Sequence, residues 1–259
     1  MTSNREGSWS GWLVPQLRRP APSAEPAVGP VGSLVELIEQ VLRLADRRKL
    51  AGQLLATDPL YRRIRLDQRG AAVDFGLGAG ERVSRELMAQ WGTTDPFALA
   101  QSLGIKISFT EGKSRVGSHV RFSEYRGKPP AITIYSESMD DVNGAIRENG
   151  LGAKLGISDI TPIHVAHELY HHVELQKKPP PTAGFRIPTL VVGPIRVDSG
   201  LVSLAEIAAN AFAQELLGLR MYPSLLGFVT VYLHNAQLAW AMADGLEERS
   251  EQICHHKWE

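Results

Sequence analysis

The stretch His164–Glu174, HVAHELYHHVE, sets four histidines and two glutamates within eleven residues. Thr161–Pro162 opens a helix just upstream, and the run Pro179–Pro181 stops it downstream. Side chains four residues apart share a helix face. His167 and His171 can therefore offer their imidazoles to one ion. Glu168 follows the first of them and is rotated off that stripe, where it reaches a water on the ion rather than the ion itself. The pattern His167-Glu168-Leu169-Tyr170-His171 is H-E-x-x-H, and imidazole with carboxylate donors favours Zn2+. Glu168 is then the expected general base and acid.

The neighbouring groups fit less well. His164 lies a turn too early, and His172 points about 100° from His171. Both read as supporting or surface groups. Glu174 shares the face of His171 but lies roughly 10 Å along the axis from His167. The longer metzincin spacing is absent, because Glu174 and Lys177 stand where Gly and His are required.

A third ligand must come from elsewhere. Glu206, in SLAEIAANAFAQELL, is the leading candidate, with Asn210 one turn later to brace it. The same residues permit a second reading. Ser203-x-x-Glu206 is a capping box, which on this reading spends Glu206 on its own helix unless that helix starts earlier, at Asp198 or Ser199. Asp198 and Glu215 are lesser ligand candidates. Tyr170, His119, Tyr135 and His234 are candidate donors to an oxyanion.

The remaining sequence sets bounds. Lys and Arg together number 28, as do Asp and Glu, so no net charge draws the chain toward nucleic acid or anionic lipid. No nucleic-acid-binding motif is present. Cys254 is the sole cysteine, which excludes an internal disulfide and suits a cytoplasmic protein. A deformylase-like site would need a cysteine ligand, for which Cys254, in the tail CHHKWE, is badly placed. Residues 221–243 lack formal charge, but Pro223, His234, Asn235 and Gln237 make a buried helix the better reading than a membrane span.

Four regions are expected. Residues 1–32, rich in Pro, Ser and Gly, form a flexible tail. Residues 33–79 form a helical region that starts at the capping box Ser33-x-x-Glu36 and carries one helix to about Thr57–Pro59. Its cluster of Arg43, Arg47, Arg48 and Lys49 is interleaved with Asp46, Asp58 and Asp67, and reads as a solvated face. Residues 80–243 form the main domain, and residues 244–259 a polar tail. In the main domain GERVSRELMAQWG and DPFALAQSLG read as helices, and the alternation in residues 105–109 and 131–135 predicts strands. Another strand is expected between those two. Residues 138–156 carry four glycines and stay unassigned. GFRIPTLVVGPIRVDSG reads as loop with one short strand. The fold class is α+β, a small sheet packed on several helices.

The lead-in DPFALAQSLGIKISF, the strand AITIYSES, the helix HVAHELYHHVE and the segment EIAANAFAQELL together resemble the ImmA/IrrE family of zinc-peptidase-like proteins, over roughly residues 80–220. The resemblance implies a zincin-like metallopeptidase domain, with a mixed or antiparallel sheet on helices. It implies His167, His171 and Glu206 as zinc ligands and Glu168 as catalytic acid/base. It further implies a protein substrate of the repressor kind, bound along an edge strand at 131–135. The helix-turn-helix domain of many relatives is missing, and Gly218-Leu219-Arg220 interrupts the family's Leu-Leu-Met-Pro. A non-catalytic metal-binding interaction module with the same fold is the alternative.

Overall fold

The computed structural model describes residues 8–10, 32–116, 119–192 and 195–254. Strand β1 is Ser8–Ser10, so this part of the expected tail is paired; the remainder of residues 1–31 lies outside the described residues.

Ser33 and Glu36 form the capping box, with Ser33 N–H donating to Glu36 Oε2 at 2.7 Å. Helix α1, Leu34–Leu44, buries Leu34, Leu37, Ile38 and Val41. The single helix expected to reach Thr57 is two helices. Asp46 Oδ1 accepts the Lys49 N–H at 2.8 Å and caps a second helix, α2, Arg47–Ala56. A short aspartate that bonds its own backbone favours caps over helix interiors, and the chain breaks there.

Helix α3 runs from Leu66 to Trp91 and ends on Gly92 in the left-handed conformation, φ 66°. The boundary drawn between residues 79 and 80 thus falls inside one helix. Helix α4, Pro96–Ser102, has Asp95 as N-cap and Pro96 at its first position, as its sequence predicts.

The main sheet is small and mixed. Strand β2 is Lys106–Thr110, and Ser114–Val116 (β3) pairs with His119–Arg121 (β4) as a separate ribbon. Strands β5, Ser123–Gly127, and β6, Pro130–Tyr135, are antiparallel neighbours, and β2 lies parallel to β6. The order is β1-β5-β6-β2. Residues 131–135 are therefore interior, between β5 and β2. The expected strand addition along them is ruled out, because both edges of β6 are already hydrogen-bonded.

The unassigned stretch forms helices α5, Ser136–Glu148, and α6, Leu151–Leu155. Helix α7, Thr161–Gln176, starts where Asp159 Oδ1 accepts the Thr161 N–H at 2.8 Å. Every residue from Ile163 to Glu174 is buried, so α7 is enclosed on all sides. A hairpin follows, β7 Arg186–Val192 and β8 Ile195–Gly200, where one short strand was expected. Helix α8 is Ser203–Leu217. The uncharged stretch after it divides at Asn235 into α9, Leu226–His234, and α10, Ala236–Cys254. Among the described residues no helix is long and apolar enough to cross a membrane.

Helix α8 packs against both α3 and α7. Its contact with α3 is backbone-close. A Cβ on Gly80 would lie 2.1 Å from the Ala208 carbonyl oxygen, and one on Gly76 would lie 2.8 Å from Ile207 Cγ2. These glycines weaken helix propensity. The packing they permit keeps the segment helical. Gly78 faces open space. Gly80→Ala is predicted to destabilise the protein by about 1–3 kcal/mol or more, since backbone must move. Gly78→Ala should stabilise it by about 0.5–1 kcal/mol. Urea unfolding of the two variants checks both signs.

Candidate metal centre

Glu206 is the fourth residue of α8, and its role depends on how that helix starts. Ser203 does not cap it; the N-cap, Val202, makes no side-chain cap bond. Instead Asp58, from the turn after α2, is buried against the helix start. Its Oδ2 accepts both the Ser203 N–H and the Ser203 hydroxyl at 2.9 Å. A distant aspartate thus does the capping that the second reading assigned to Ser203 and Glu206. Asp198 and Ser199 lie in β8, so the helix does not start with them. Glu206 is left to face α7.

There it meets both histidines. Glu206 Oε2 is 3.3 Å from His167 Nε2, Glu206 Oε1 is 3.4 Å from His171 Nε2, and the two Nε2 atoms are 3.1 Å apart. A tetrahedral ion with bonds of about 2.0–2.1 Å has ligand–ligand edges of about 3.3–3.4 Å. The two imidazole nitrogens lie near that spacing, and each has a different oxygen of the Glu206 carboxylate at a similar distance, so the group is close enough to share one ion. His167 and His171 are fully enclosed, whereas the Glu206 side chain is 28% exposed, so solvent approaches from its side. This group can hold a metal ion.

The charges agree with that use. Burial pushes His171 down to about 4, partly offset by the Glu206 carboxylate, so its imidazole is neutral, as ligation requires. Burial works to raise Glu206, but the two imidazoles outweigh it and hold the carboxyl below its ordinary value. Glu168 goes the other way. Burial raises it to about 7 against the lowering influence of His167 and a hydrogen bond from Ser123. A cation at the triad would draw it back down.

Glu168 lies outside the triad, on the side of α7 that faces β5. Ser123 Oγ donates to Glu168 Oε1 at 2.7 Å. Glu168 Oε2 is buried with no hydrogen-bond partner among the described residues. Asn210 braces the helix rather than a ligand side chain: its Nδ2 donates to the Glu206 carbonyl at 2.8 Å.

The other candidates are engaged elsewhere. His164 stacks on Phe122, ring centroids 4.9 Å apart, and burial lowers it to about 3. His172 Nδ1 is 2.8 Å from the Tyr125 hydroxyl. Tyr170 donates to Glu174 at 2.9 Å, and Thr182 bonds the same carboxylate. Asp198 pairs with Arg196, and Glu215 lies 3.9 Å from Arg85. Exposed His234 bonds Thr230 O within α9. Tyr135 closes β6, where its N–H donates to Phe122 O. The His119 side chain, and His255 and His256 beside Cys254, lie outside the described residues. Ser123, Tyr125 and Asp58 escape a sequence reading, because each meets its partner across 45 residues or more. The one local signal is the alternation that puts Ser123 and Tyr125 on the same face of β5.

Dialysed protein should take up one equivalent of Zn2+, and His167→Ala and Glu206→Ala should each abolish tight uptake. At a hundredfold excess over Kd, binding adds about 2.7 kcal/mol to stability. A chelator should therefore lower the Tm of the wild type and leave that of His167→Ala unchanged. Comparison with known proteins returns no matching family model, curated protein or solved structure.

Proposed function

We propose that the protein is a zinc-dependent endopeptidase with a zincin-like catalytic domain, acting on a protein substrate of the repressor kind in the cytoplasm. The observation that carries this reading is the division between two glutamates. Glu206 stands with His167 and His171, one carboxylate oxygen 3.3 Å from the first Nε2 and the other 3.4 Å from the second. Glu168 comes from the same helix as the histidines but is held outside that group by Ser123.

His167, His171 and Glu206 would hold the ion. When bound, Zn2+ would lower the pKa of a coordinated water to about 7 and polarise a carbonyl oxygen. Glu168 performs the proton transfers. Ser123 fixes Oε1, so Oε2 is the atom that accepts a proton from the attacking water. The same oxygen returns it to the departing amine as the C–N bond breaks. The enclosure of His167 and Glu168 keeps other water away from that transfer.

Glu168→Gln preserves shape and removes the base. Metal-loaded protein should generate new peptide termini in a proteome-derived peptide library, read by mass spectrometry. The variant should bind the same equivalent of zinc and cleave about 10²–10⁴-fold more slowly. Equal cleavage by the variant, or no new termini from the loaded wild type, would favour the non-catalytic module.

A further inference from the structure

Strand β1 lies on the outer edge of β5, the strand that carries Ser123 to Glu168 and Tyr125 to His172. Its register is antiparallel, with Ser8 opposite Arg126, Trp9 opposite Tyr125 and Ser10 opposite Glu124. Running from Ser8 to Ser10, the segment heads toward Ser123 and so toward the candidate catalytic carboxylate.

The hydrogen-bonding phase of β5 follows from its other side. Tyr135 N–H donates to Phe122 O, which turns the backbone groups of Phe122 toward β6. Antiparallel ladders alternate. The groups of Glu124 and Arg126 therefore also serve β6, while those of Ser123, Tyr125 and Gly127 point outward. Trp9 and Tyr125 are then the hydrogen-bonded pair, and the N–H of Ser8 faces away from β5. Three residues make few such bonds. Residues 11–31, which link β1 to the rest of the chain, carry five prolines. Within the described residues β1 pairs with β5 alone.

We propose that residues 8–10 are an internal occupant of the site's peptide-binding edge, and that an extended substrate adds antiparallel to β5 by displacing them. The proposal deepens the peptidase reading and rests on it: the chain's own N-terminal segment competes with substrate for the backbone groups of Ser123, Tyr125 and Gly127. Strand addition supplies main-chain hydrogen bonds to any extended sequence, so displacement is the step at which access is regulated.

The test uses the full chain in a Glu168→Gln background, so that cleavage does not intervene. The probe is a fluorescein-labelled peptide of residues 4–14, NREGSWSGWLV. Trp9→Pro deletes the N–H that faces β5, whereas Ser8→Pro deletes one that faces away from it. Trp9→Pro should tighten peptide binding about tenfold, the factor for an edge nine-tenths occupied by its own strand. Ser8→Pro should leave binding at the parent value. Hydrogen exchange at the Tyr125 amide should accelerate in Trp9→Pro alone, with α7 still protected. Equal peptide affinity in the parent and Trp9→Pro, or unchanged exchange at Tyr125, overturns the proposal. Neither readout requires catalysis, so the peptidase reading fails separately, through a Glu168→Gln variant that cleaves like the wild type.

Discussion

The approach of α8 to α3 constrains the rest of the site. Gly80 leaves no room for even a methyl group against the Ala208 carbonyl, so the two helix backbones touch. Contact at that distance admits little adjustment, because interiors are packed to crystal-like density. The start of α8 is fixed independently, by Asp58 at the Ser203 N–H and hydroxyl. Between these two restraints lies Glu206, three residues after Ser203 and two before Ala208. Its carboxylate reaches α7 because the helix that bears it is held at one end and pressed from behind.

The partner helix is constrained differently. Helix α7 is buried on every side through twelve consecutive residues, although four are histidines and two are glutamates. Burying such groups is costly unless each has a neutral form or a partner. The helix meets that demand residue by residue. His164 stacks on Phe122, His172 meets Tyr125, and Glu174 is held by Tyr170 and Thr182. His167 and His171 meet Glu206. The two glutamates nearest one another in function are then driven in opposite senses, Glu206 down by the imidazoles and Glu168 up by burial. Environments that separate two carboxyls in this way suit one to hold a cation and the other to exchange a proton.

Local signals in the sequence reach part of this. The capping box at Ser33, Pro96 behind Asp95 and Thr161–Pro162 all mark helix starts, because caps depend on a few adjacent residues. The four-residue spacing of His167 and His171 places them on one face for the same reason. What depends on distant packing is not legible. Glycines at 70, 76, 78 and 80 lower helix propensity across α3, and only α8, more than 120 residues later, explains why two of them are needed. The Ser203-x-x-Glu206 pattern suggests a capping box, and Asp58 pre-empts it from 145 residues away. The strand at 131–135 has the right alternation, but alternation does not tell an interior strand from an edge, and the edges of this sheet are β1 and β2.

The most direct test is the zinc K-edge absorption spectrum of the metal-loaded protein beside that of Glu206→Ala. The wild-type spectrum should fit two imidazoles and a carboxylate oxygen at about 2.0–2.1 Å, with one further light-atom neighbour in a four-coordinate shell. In Glu206→Ala the carboxylate contribution should vanish while two imidazoles remain for any metal still bound. A wild-type shell with one imidazole, or a Glu206→Ala spectrum identical to the wild type, would contradict the placement of Glu206 against α7 and everything built upon it.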